Sequence, residues 1–187
     1  MHQRIDSYEQ ALEFLYARVN FERQSSTQYG LDDFRLDRMR QLLQRLGNPQ
    51  ERLPTVHIAG TKGKGSTAAM LASVLTAAGH RTGLFTSPHI TQFEERFTVD
   101  GRQPTPDELV ELVNQVAEVV QAMDELPGAM SPTYFEIVTA LGWLYFTRQG
   151  AQLVVLEVGL GGRLDSTNIC RPNVCVITSI SRDHTKQ

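Results

Sequence analysis

Apolar positions along this chain change period from segment to segment, and the changes predict its elements. Ser7 and Gln10 fit a capping box ahead of Leu12, Leu15, Tyr16 and Val19, an apolar stripe at helical spacing. A polar stretch begins at Glu22 and gives way to Phe34, Leu36, Met39, Leu42, Leu43 and Leu46, a second helix closed by Gly47 with Pro49 beyond it. Thr55 to Ala59 alternates β-branched and small residues and reads as a strand. Ser66 to Ala78 then carries Met70, Leu71, Val74, Leu75 and Ala78 at helical spacing before Gly79, so these five are expected on its buried stripe.

Thr82 to Thr86 reads as a further strand, broken at Ser87-Pro88-His89. Phe97-Thr98-Val99 followed by Asp100-Gly101 predicts a hairpin on the edge of the main sheet. Thr105-Pro106-Asp107-Glu108 supplies an N-cap, a proline at the first helical position and an acid three residues after the cap. The helix it opens should bury Leu109, Leu112, Val113, Val116 and Val120, and Pro127-Gly128 ends the region. Another helix starts near Ser131-Pro132 and carries Phe135, Val138, Leu141 and Tyr145. Leu153 to Val158 and Val174 to Ile180 are nearly continuous apolar runs, as expected of central parallel strands covered on both faces. Together these elements predict an α/β fold, a doubly wound and mostly parallel sheet, with residues 1–50 a helical segment packed on an α/β domain of residues 51–187.

Composition adds exclusions. With 187 residues, 41% hydrophobic and 21% charged, the chain can bury a sizeable core, and a net charge of −3 gives no electrostatic reason to expect nucleic acid or an anionic membrane. No apolar run is long enough to span a bilayer, and Met1 to Asp6 lacks the apolar core of a secretory signal. Cys170 and Cys175 sit in no metal-ligand spacing, and Cys175, alternating with valines, reads as a buried strand thiol; a reducing cytoplasm is the expected compartment.

The chemistry concentrates in Gly60-Thr61-Lys62-Gly63-Lys64-Gly65-Ser66, set between a strand and a helix. Glycines at 60, 63 and 65 let backbone N–H groups turn toward an anion, and the helix N-terminus adds a positive field. Lys64 would reach terminal phosphates and Ser66 could offer a hydroxyl. The spacing departs from the common P-loop, because two residues rather than four separate Gly60 from Gly63-Lys64 and Gly65 follows the lysine. A second glycine concentration, Gly159 to Arg163, follows the strand that ends in Glu157. Ligands in open α/β folds collect beyond the carboxyl ends of strands, which also gives weight to Ser87 and His184. Glu157 among apolar neighbours would be costly as a lone charge, and a cation would remove that cost; pairing with Arg163 or Arg182 is the alternative.

Four segments resemble folylpolyglutamate synthase and its dihydrofolate synthase relatives within the Mur ligase superfamily: the glycine loop, Ser87-Pro88-His89, the string from Glu157 to Asn168, and Asp183-His184-Thr185. The resemblance implies an ATP-dependent ligase that adds L-glutamate to folate or dihydropteroate through an acyl phosphate. It implies that Lys64 and the amides of residues 60 to 66 bind ATP phosphates, that Ser87, Glu157 and His184 serve Mg²⁺, and that Thr133, Tyr134, Phe135, Glu136, Leu164, Asp165 and Ser166 line a pteroate pocket. The family pattern continues beyond Asp183-His184 into a lysine-bearing segment and a glutamate-binding domain, both expected to be absent here. The complete protein is expected to be a monomer. Two other readings stay open: a nucleotide-binding fragment without ligase activity, and a P-loop ATPase-type regulatory module.

Overall fold

In the computed structural model, residues 4–21, 36–128 and 131–181 are described. Phe34, the polar stretch from Glu22 and the Asp183-His184 motif lie outside them.

Five strands form one sheet in the order β3-β2-β4-β1-β5: β1 (Thr55–Ala59), β2 (Thr82–Phe85), β3 (Phe97–Val99), β4 (Leu153–Glu157) and β5 (Val174–Ile177). All neighbours are parallel except β3, which runs antiparallel to β2. The alternation of side chains along β4 explains the two layers that cover the sheet. Leu153 and Val155 face α3 (Lys64–Ala77) in a cluster with Ile58, Ala68 and Ala72. Val154 and Leu156 face the larger cluster built by α4 (Pro106–Asp124) and α5 (Tyr134–Arg148), against which α1 (Tyr8–Tyr16) and α2 (Leu36–Arg45) pack.

Local signals placed the starts of α1 and α4. The Ser7 hydroxyl accepts from the Gln10 amide, and Thr105 with Glu108 forms a reciprocal capping box, as does Thr133 with Glu136. The turn after β3 has positive φ at both Asp100 (51°) and Gly101 (75°), the two-residue hairpin geometry that matches strand twist, and Val99 bridges Arg102 across it.

Three expectations fail on the α3 and β5 side. Helix α3 starts at Lys64, two residues before Ser66, and turns Ala68 and Ala72 to the sheet, so Met70 and Val74 are each 63% exposed. In a helix apolar almost all round, periodicity does not single out the face that packs. Among the described residues strand β5 is not central: it pairs only with β1, and three of its four residues are exposed. Cys175 is consequently exposed rather than buried, and the buried thiol is Cys170. Burial pushes Cys170 up to about 12.

Candidate phosphate and acceptor site

At the carboxyl ends of β1, β2 and β4 stand the glycine loop, Ser87 and Glu157. Gly60 takes φ 138°, and a Cβ there would fall 2.1 Å from Thr178 Oγ1, so both backbone and space require glycine. The loop is laced to the segment that follows β5. The Thr61 amide donates to Ser179 O at 2.6 Å and its hydroxyl to Ser181 O at 3.2 Å. The hydroxyls of Thr178 and Ser179 donate to Lys62 O at 2.8 and 3.3 Å. Thr61, expected among the phosphate contacts, therefore spends its amide inside the fold. The amides of Lys62, Gly63, Lys64 and Ser66 have no acceptor among the described residues. Gly63 caps α3 with φ 81°, which places Lys64 in the first turn and the helix's free N–H groups around it.

Glu157 ends β4 and is only 5% exposed. Its Oε2 accepts the Ser87 amide at 3.1 Å, and a Cβ on Gly65 would lie 3.3 Å from the same oxygen, so the carboxylate is seated against the first turn of α3. Burial pushes this carboxyl above the ordinary range, opposed by the Ser87 amide, the Lys64 charge and the Gly65 amide. Among the described residues it forms no ion pair, with Arg163 or any other base. A buried carboxylate next to a hydroxyl residue and open amides suits a hard divalent cation, which takes few protein oxygens and fills its shell from phosphate and water. The described residues hold no cluster of three His, Cys, Asp or Glu, and among them Glu157 and Ser87 are the ones placed to contribute there. His184 lies outside the described residues.

The expected pteroate residues separate into two groups. Glu136 is buried, and its Oε2 accepts from Thr133 N (2.7 Å), Thr133 Oγ1 (2.9 Å) and Arg38 Nε (2.6 Å). Thr133 and Glu136 thus start α5 and bind it to α2. Tyr134 is buried between Tyr16, stacked at 5.8 Å, and the Arg96 guanidinium at 5.4 Å. Phe135 reaches the glycine turn after β4: a Cβ on Gly159 would meet its Cζ at 2.4 Å. Leu164 and Ser166 are partly exposed, whereas Asp165 is 4% exposed.

Asp165 holds its own loop closed. Its carboxylate accepts from Leu160 N at 2.7 Å, from Thr167 N at 2.9 Å and from the Thr167 hydroxyl. The Thr167 oxygen also lies 2.8 Å from His57 Nε2, in β1. Burial pushes Asp165 up against these donors and pushes His57 down. The sequence reading missed His57 and Thr167 because a strand histidine and a loop threonine carry no signal until the register is known. It missed Arg38 for the same reason.

With this arrangement in view, the class is defined: residues 58–187 match the Mur ligase middle domain, and the chain belongs to that family. Its relatives are more specific. It is 47% identical over 150 residues to the dihydrofolate synthase/folylpolyglutamate synthase of Bacillus subtilis, covering 80% of this chain and 35% of that protein. It is 45% identical over 148 residues to the folylpolyglutamate synthase of Lacticaseibacillus casei, covering 78% and 34%. Among solved structures, the apo form of L. casei FPGS superposes with TM-score 0.86 at 34% identity, over 97% of this chain and 42% of that one. An FPGS–AMPPCP–folate complex gives 0.86 at 35% identity over the same shares. The chain therefore spans well under half the length of the relatives it matches.

Proposed function

We propose that this chain carries the nucleotide site and part of the acceptor site of an ATP-dependent ligase that joins L-glutamate to a folate or dihydropteroate carboxylate. The observation that carries the reading is the convergence of four loop amides that have no acceptor among the described residues, Lys64 in the first turn of α3, and a buried Glu157 beside Ser87 that forms no ion pair among those residues. Each relative described above bears a synthase name of this kind, and one solved neighbour holds AMPPCP and folate together.

A carboxylate resists amines because its carbonyl is resonance-stabilised and its leaving group is oxide. In-line attack of the acceptor carboxylate oxygen on the γ-phosphorus forms the new O–P bond as the bond to ADP breaks. The amine of glutamate then attacks the acyl carbon, phosphate leaves, and the amine loses its proton. The loop amides and Lys64 bind and orient the polyphosphate and hold charge on the transferring group, chiefly by positioning and electrostatics. Glu157 and Ser87 would hold Mg²⁺, which when bound neutralises phosphate charge.

The test is calorimetric titration with Mg-AMPPCP, comparing the unmodified chain with Lys64→Ala. Loss of a charge-assisted phosphate contact should weaken binding by about tenfold to a hundredfold. Equal affinity in a folded Lys64→Ala chain removes the loop from the mechanism. A second reading is that nucleotide is bound without ligation. ADP release that requires both folate and glutamate supports the ligase, binding without turnover supports the second reading, and hydrolysis indifferent to folate points to an ATPase module.

A further inference from the structure

We propose that Thr178 is a positioning residue for the glycine loop: its hydroxyl holds the Lys62 carbonyl toward the segment after β5 and thereby turns the Gly63 amide the opposite way, free to meet a phosphate. That this amide meets a phosphate rests on the nucleotide reading above; the orientation of the peptide does not.

A trans peptide is planar, so its C=O and N–H point in opposite directions and whatever fixes one fixes the other. The Lys62–Gly63 peptide is trans, and glycine at 63 would tolerate either orientation of it, so a partner must decide. The Thr178 hydroxyl donates to Lys62 O at 2.8 Å, and the Ser179 hydroxyl supports it at 3.3 Å. A hydroxyl has one proton to give. The other carbonyl within reach of Thr178 Oγ1, that of Ala59 at 3.4 Å, already accepts the Thr178 amide at 3.0 Å, so the shorter contact with Lys62 takes the proton. Both acceptors are carbonyls, and no titrating group enters. Gly60 makes the grip possible, because Thr178 Oγ1 fills the space a side chain would need there. Opposite the gripped carbonyl, the Gly63 N–H has no acceptor among the described residues, and a Cβ on Gly63 would find nothing within 4 Å. Gly63 is the N-cap of α3, so its amide adjoins the free N–H groups of the first turn, and N–H groups aimed together form a concavity for an anion.

The test begins with the unmodified chain. Saturating Mg-AMPPCP should slow hydrogen exchange of the Gly63 amide by about tenfold and leave that of Thr61, already bonded to Ser179 O, unchanged. Bound nucleotide that leaves Gly63 exchange unaltered overturns the proposal, and this decides even if a variant does not fold. Thr178→Val keeps the shape that fills the space at Gly60 but removes the donor, and should weaken Mg-AMPPCP binding by about tenfold; Thr178→Ser, which keeps the hydroxyl, should restore it. Undiminished affinity in Thr178→Val, or Thr178→Ser as weak as Thr178→Val, overturns the positioning role. A chain that ignores Mg-AMPPCP refutes the nucleotide reading, and the grip is then read without ligand: the Lys62 carbonyl carbon resonance should move upfield in Thr178→Val and return in Thr178→Ser, and a resonance that stays in place overturns the grip itself.

Discussion

At the scale of single residues, this site is built by groups whose obligations lie inside the protein. Arg38 and Glu136 meet in a nearly dry pair, with side chains 8% and 4% exposed, at 2.6 Å. Arg38→Ala would leave a buried carboxylate with only its capping donors. The expected loss is about 3–5 kcal/mol of unfolding free energy, read from urea denaturation. Gly159→Ala drives a methyl into the Phe135 ring and should cost about 1–3 kcal/mol in the same measurement. His57 gives a pH signature. Its folded value is depressed by burial below 6.5, so the unfolded chain takes up the proton first as pH falls. Its contribution to stability is therefore whole above about 6.5 and declines below that, and His57→Gln should flatten the fall in melting temperature on the acid side.

At the scale of elements, the sequence was legible wherever one local rule decided the outcome. Capping residues placed the starts of α1 and α4, and the Asp100-Gly101 pair placed the turn after β3. The glycine loop and Glu157 were legible for a related reason, since glycines in a strand-to-helix turn and an acid in an apolar strand contradict their surroundings unless a ligand explains them. What could not be read depended on partners far away in sequence. Nothing local tells that Ala68 and Ala72, rather than Met70 and Val74, face the sheet, or that the apolar run at β5 ends up on its border. Thr133 and Glu136 belonged to the pteroate list by resemblance, yet the same four-residue spacing is a capping box, and that role is the one the hydrogen bonds display.

At the scale of the whole molecule, the two faces of the sheet are unequal. Among the described residues the side toward α4 and α5 is thickly covered, α3 alone lies on the other, and no helix is long and apolar enough to cross a membrane. The outer border is an uncharged strand: Val174 and Ile177 are 51% and 64% exposed, with Ile180 at 80% just past it. Such a border lacks the charges and prolines that usually discourage pairing between sheets. Sedimentation velocity of this chain should show concentration-dependent association that Ile177→Lys reduces; a monomer at all concentrations would mean the border is harmless as it stands.

The contrast between the two thiols offers a practical handle. One is sealed in the interior with its proton held tightly, and the other stands on the open strand three residues ahead of Thr178, whose hydroxyl grips the carbonyl of Lys62. A maleimide dye should thus label Cys175 at unit stoichiometry with no engineering, and its fluorescence would report, from a neighbouring strand, whether anything has settled on the glycine turn.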